Sequence, residues 1–351
     1  MEQSEIWEWP APQDKNPDCA PLHPGYACYN GDMNAEDYQY AIGQCDVPPE
    51  RHSALEAYRA KRRQWLEWLD TDEHHAIWTS VLALVWNDVS FRTLAQLAVD
   101  NPESCLGNTL VAEKLIDGHV ATQILAIRRL VDNGRNVISL RSLIKDVRRN
   151  VKLFTRENYV CFDGLPYDYE AVRRTNRAGK VPFWGATKGP DAWATSSMVH
   201  EHFDRLSGVN AANRSREDRL PVALVDAVEG WLDNSHADEL AGWSHAFLAH
   251  AGSAKSREKI KQAIVNNNKI TEAIRVIARV TEGISAEILY ASGRLNSLMP
   301  TAQFDQLENL DKPVMRADQE TRAYEMWDGL SAERDRFCEG VGEELISAIN
   351  R

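Results

Sequence analysis

Ile116-Asp117-Gly118-His119-Val120-Ala121-Thr122-Gln123-Ile124-Leu125-Ala126-Ile127-Arg128-Arg129-Leu130-Val131-Asp132 is the stretch whose pattern decides the fold class. Ile116, Val120, Gln123, Ile124, Ile127 and Leu130 recur at helical spacing, which lays them along one face of an α-helix. That helix is expected over about 109–131, stopped by Asn133-Gly134. The same period holds on either side. Leu55, Tyr58, Arg62, Trp65, Leu66 and Leu69 mark an earlier amphipathic face, and a second helix is expected over about 74–99, broken before Asn101-Pro102. Ser139 reads as the N-cap of a short helix carrying Leu140, Leu143, Ile144 and Val147. Helical period resumes over about 194–206, 216–234, 236–251 and 253–290, and a last helix is expected over about 319–349. No segment alternates with a period of two. The expectation is an all-α bundle in which the helices near 109–131 and 236–251 lie side by side.

Punctuation divides the chain. Seven of the 14 prolines precede residue 50, so residues 1–50 read as an irregular leader rich in proline and aromatic residues. Residues 51–300 read as one helical domain and 301–351 as a C-terminal helical extension. Inside the domain, Asp163-Gly164-Leu165-Pro166, Ala178-Gly179-Lys180 and Lys188-Gly189-Pro190 are turn chemistry, and 155–192 is expected to be a long, mostly irregular loop.

A net charge of -12 over 351 residues argues against a surface that binds nucleic acid everywhere, so a basic site must be local. One such stretch exists. Between Arg128 and Lys180 there are 13 basic residues against six acidic ones. Arg128, Arg148, Arg149 and Arg156 belong to it and are candidates for holding RNA phosphates, with Arg257 further on. Tyr159, Phe162, Tyr167, Tyr169, Phe183 and Trp184 interleave with the basic residues and could stack on unpaired bases. A solvated helix face followed by an aromatic-anchored loop would look the same.

The N-terminus lacks a signal-like apolar run, and the longest mostly apolar stretch, 76–86, is about half of the roughly 20 residues that span a bilayer, so no membrane association is expected. The six cysteines are scattered without a Cys-x-x-Cys pair, which reads as thiols in a reducing, cytoplasmic setting. His200 and His202, two apart, point about 200° away from each other on a helix, and His74-His75 is no better, so no metal is expected. No glycine-rich phosphate loop or Gly-x-Ser-x-Gly elbow is present, and no cofactor is expected.

The segment Trp243-Ser244-His245-Ala246-Phe247-Leu248-Ala249-His250 resembles the signature of HEPN-like domains of the abortive-infection AbiU type. Ala121 to Asp132, followed by Ile138-Ser139-Leu140, is similar to that family's first core helix and its exit. The resemblance covers roughly residues 77–290. It implies a HEPN-like helical bundle with extra N- and C-terminal segments, a role in phage defence or as a toxin, a homodimer, RNA as substrate, and an antitoxin or other defence protein as partner. Catalytic members have an arginine and, after four to six intervening residues, a histidine, and they cut RNA without metal. The resemblance places His250 at the histidine position, where it would act as acid or base. Ser244 stands where the arginine would be, so a phosphate clamp must come from elsewhere. Arg129 is the candidate for that clamp, with Asp132 one helical turn away on the same face and His245 inside the motif as further catalytic candidates; an intrahelical or interhelical ion pair is the other reading of Arg129 and Asp132. Returning an arginine to position 244 would be expected to raise activity. The alternative is a module that keeps the fold, lacks catalysis, and binds RNA or protein.

Overall fold

The computed structural model describes residues 38–178, 186–249, 265–291, 293–294, 298, 307–313 and 317–336. These residues are all-α. The helices are α1 (His52–Leu66), α2 (Ile77–Asp100), α3 (Thr109–Leu130), α4 (Leu140–Arg149), α5 (Arg156–Cys161), α6 (Tyr169–Ala178), α7 (Trp193–Ser207), α8 (Val222–Asp233), α9 (Ala237–Ser244), α10 (Asn267–Glu282) and α11 (Glu320–Asp335). Among the described residues the extended pairing is a single bridge, Thr155 with Arg219. No helix among them is long and apolar enough to cross a membrane. They fall into two compact units, one within Met1–Thr93 and Lys114–Thr301, the other within Leu94–Glu113 and Ala302–Arg351.

The first unit holds the core. Leu55, Tyr58, Trp65 and Leu69 are fully buried, so the periodic face of α1 is the face that packs. The Trp65 indole stacks on Phe154, centroids 5.4 Å apart, and Tyr58 meets the same ring edge-on at 5.5 Å. α3 ends at Leu130, and Gly134 N–H bonds Asp132 Oδ1 at 2.6 Å in the turn immediately after it. Ser139 caps α4, its hydroxyl oxygen accepting from Ser142 N–H, and Leu140, Leu143, Ile144 and Val147 are buried.

One expectation needs correction. Residues 155–192 include two helices, α5 and α6, rather than one irregular loop. The anchor is Arg156, at the first turn of α5 and without exposed surface. Its Nη1 meets Asp204 on α7 at 2.7 Å, its Nε meets Asp218 at 2.8 Å, and its guanidinium lies 4.5 Å from the Phe203 ring centroid. Arg156 N–H bonds the Asp218 carbonyl and Leu220 N–H the Phe154 carbonyl, closing the segment onto the chain before α8. α9 packs against α8 and α10. α3 is tied to α2: Gln123 Nε2 donates to the Leu84 carbonyl at 3.0 Å, and His119 stacks on Phe91 at 3.9 Å.

Arg156 is therefore a structural cation, and its removal leaves two carboxylates facing a buried void. Arg156→Ala should lower stability by about 3–5 kcal/mol, the usual cost of breaking a buried ion pair from one side. Arg148→Ala, which removes a half-exposed pair with Asp226 and Glu229, should cost about 1 kcal/mol or less. Urea unfolding followed by circular dichroism measures both.

Candidate nucleic-acid interface

The turn between α3 and α4 is built from Asp132-Asn133-Gly134-Arg135-Asn136-Val137-Ile138, and a cleft opens on each side of it. Asn136 takes a left-handed backbone (φ 60°), a conformation asparagine tolerates better than most residues. Ser139 Oγ–H donates to the Asp132 carbonyl at 2.7 Å, holding the two ends of the turn together.

The first cleft, about 320 Å³, is lined by His75, Arg129 and Asp132. Arg129 is exposed, and its Nη2 lies 3.1 Å from His75 Nδ1. Arginine can only donate, so Nδ1 accepts, and a neutral His75 ring carries its hydrogen on Nε2. The cleft thus presents a guanidinium and an imidazole N–H, both donors suited to a phosphate oxygen. Asp132 shares this cleft without an ion pair to Arg129, and its Oδ1 accepts from the Gly134 amide.

The second cleft, about 540 Å³, lies between the turn, Trp68 and α4. Arg135, Lys145 and Arg149 are exposed along it. Lys145 Nζ bonds Asn133 Oδ1 at 2.7 Å, and Arg149 Nε bonds the Lys145 carbonyl at 3.3 Å. None of these three cations meets a carboxylate among the described residues. The carboxylate in the cleft, Asp146, accepts from Lys61 Nζ and Trp65 Nε1, both at 2.9 Å.

Other sequence candidates are dispersed. Arg148 pairs with Asp226 and Glu229 on α8, and Arg141 with Asp233 and Asp238. Arg156 is enclosed in the core, so its candidacy for RNA contact is withdrawn. Arg128 is half-buried. The interleaved aromatics face inward: Tyr159 is buried, and Phe162 and Tyr167 lie under the guanidinium groups of Arg62 and Arg216. Phe183, Trp184, His250 and Arg257 lie outside the described residues.

No family model matches the chain, and neither does any curated protein or solved structure. The motif around α9 is therefore judged on its own geometry. Ser244 ends α9 with no exposed surface, and its hydroxyl has no hydrogen-bond partner among the described residues. His245, exposed, opens a π-helical turn over His245–Ala249, where Trp243 stacks on Phe247 at 5.1 Å. An arginine at 244 would start from a buried position at the end of α9.

His200 and His202 serve the fold separately. His200 Nε2 bonds the Tyr167 carbonyl and His202 Nε2 the Glu287 carbonyl. Among the described residues no three His, Cys, Asp or Glu side chains gather to hold a metal. Burial, reinforced by the Arg214 and Arg156 cations, pushes the His200 pKa down to about 4. Cys45, Cys105 and Cys161 are unbridged thiols, the first and last of them buried.

Ser244→Arg should destabilise the protein by about 3 kcal/mol or more, because it buries an unpaired guanidinium, and the thermal midpoint reports it. A pH dependence is expected from His200, since the unfolded chain binds a proton there more readily than the native one does. Stability from this group is therefore complete above about pH 6.5 and is lost as pH falls towards 4. Urea unfolding at about pH 5 should show about 2 kcal/mol less stability than at about pH 7.5 from His200. His200→Gln should shrink that difference.

Proposed function

We propose that this chain is a HEPN-like protein of bacterial phage-defence or toxin–antitoxin type that binds RNA through its phosphodiester backbone at the α3–α4 turn. The observation carrying this reading is the Arg129–His75 pair beside Arg135, Lys145 and Arg149. Five donors of positive or hydrogen-bonding character surround one short turn, on a protein whose net charge is -12. Such a patch supplies the local, salt-sensitive attraction that phosphate recognition needs. The resemblance of the α3 and α9 segments to HEPN-like domains supports RNA as the ligand and a cytoplasmic homodimer, with an antitoxin or other defence protein as partner.

Binding is favoured over cleavage by two features. Ser244 sits in the core where the family's arginine would be, and the Arg129 bond to Nδ1 makes neutral His75 a donor at Nε2 instead of a base. Cleavage remains a second reading because an arginine and a histidine do share one cleft. In it, Arg129 would hold the phosphate while a histidine, His75 or His250, moves the proton of the attacking 2′-hydroxyl.

Anisotropy with a labelled RNA 12-mer in EDTA tests both readings. Arg129→Ala should weaken binding by about tenfold or more and reduce the salt slope by about 0.7, the value for one phosphate contact on a single strand. His75→Ala should weaken binding with little change in slope. Absence of wild-type binding at low salt would remove the RNA reading. Shortening of the RNA, abolished by His75→Ala or His250→Ala, would move the assignment from binding to metal-independent cleavage.

A further inference from the structure

Trp68 lies on the π-helical turn Glu67–Thr71 directly after α1, and its side chain is half-buried, packed against the core. One side of the indole is therefore held by the protein, while the residue also lines the larger cleft. Among the described residues no aromatic ring or guanidinium stacks on it, although Trp65, three residues earlier, is stacked on Phe154 inside the core. The same cleft carries amide side chains at Gln64, Asn133 and Asn136, able to meet the edge of a planar heteroaromatic ring. Its volume of about 540 Å³ suits an entire nucleotide and sits within the roughly 300–1,000 Å³ range of small-ligand sites.

Charge and shape together narrow the ligand. Arg135, Lys145 and Arg149 lack carboxylate partners among the described residues, and Asp146 is already neutralised by Lys61, so the cleft attracts anions. A rigid indole beside unpaired cations is the combination that binds a base and its phosphates at once. Bases inside a duplex are stacked on one another and cannot reach a recessed ring; an unpaired base can.

We propose that this cleft takes one unpaired nucleotide, its base against Trp68 and its flanking phosphates on Arg135, Lys145 and Arg149. The protein then selects single-stranded RNA over duplex. This rests on the RNA-binding reading above and adds the form of RNA recognised.

The test compares three probes by anisotropy: a labelled 12-nucleotide RNA, the same strand annealed to its complement, and the same strand carrying abasic sites. Trp68→Leu, which keeps apolar packing without a π-face, should weaken binding of the intact single strand by about 5- to 150-fold, the equivalent of about 1–3 kcal/mol for one stacked base. Its salt slope and its affinity for duplex should not change. Trp68→Phe should retain most of the affinity. Lys145→Ala and Arg149→Ala should instead lower the salt slope, by about 0.7 for each phosphate no longer neutralised. Equal binding of single strand, duplex and abasic strand by the wild type, or an unaltered Trp68→Leu, overturns the inference while leaving phosphate binding intact. A wild type that binds no RNA overturns both. If Trp68→Leu loses its helical circular dichroism, Trp68→Phe and the abasic strand decide.

Discussion

A guanidinium with no exposed surface must be met by anions, and the burial of Arg156 sets the course of a large part of the chain. Asp204 reaches it from α7 and Asp218 from the segment before α8, so residues distant in sequence have to return to the start of α5. Arg214 then adds three bonds to Asp204 and one to Tyr169, and both guanidinium groups hold Asp204 ionised below the usual carboxylate range despite its burial. Glu157, the neighbour of Arg156, is buried and met by Arg51 and Arg216. Two short helices that could not stand alone are in this way held against α1 and α7. The Trp65–Phe154 stack is placed immediately upstream by the same closure.

The basic run from Arg128 to Lys180 includes two contrasting groups. Arg141, Arg148 and Arg156 point towards acidic residues of α7, α8, α9 and the connecting segments, and they stabilise packing. Arg129, Arg135, Lys145 and Arg149 are left at the α3–α4 turn. α4 makes the separation possible, because one of its faces carries Leu140, Leu143, Ile144 and Val147 into the core while Lys145 and Arg149, four residues apart, share the outer face. A charge excess in sequence thus becomes a smaller and sharper patch in space.

Helical winding changes at the end of α9. Ser244 closes an α-helix in the core, and the π turn winds His245–Ala249 at a different angular register from α9. A guanidinium at position 244 would have to be accommodated in the core. Arg129, named from its place on α3, has a partner in His75 that comes from the turn before α2, more than fifty residues earlier.

Helical periodicity is a local property, and it was legible: the buried faces of α1, α3 and α4, the Ser139 cap and the Asn133-Gly134 stop can each be read from spacing and turn chemistry. The helices α5 and α6 were hidden behind glycine and proline, since α5 is held by Arg156 and its distant carboxylates and α6 packs on α7. The candidate interface was half visible. Arg129, Asp132 and Arg149 were legible by type and position, whereas Arg156 looked equivalent to them until its partners were known. His75 and Trp68 carried no signal, one set aside as half of a poor metal pair and the other lost among 11 tryptophans. Sequence by itself determined which residues must be helical and which faces must be apolar, because backbone geometry and water act on neighbours along the chain. Only the tertiary structure decided which arginines are buried with carboxylates and which are left to face solvent, because that depends on charges brought together from segments far apart in the chain.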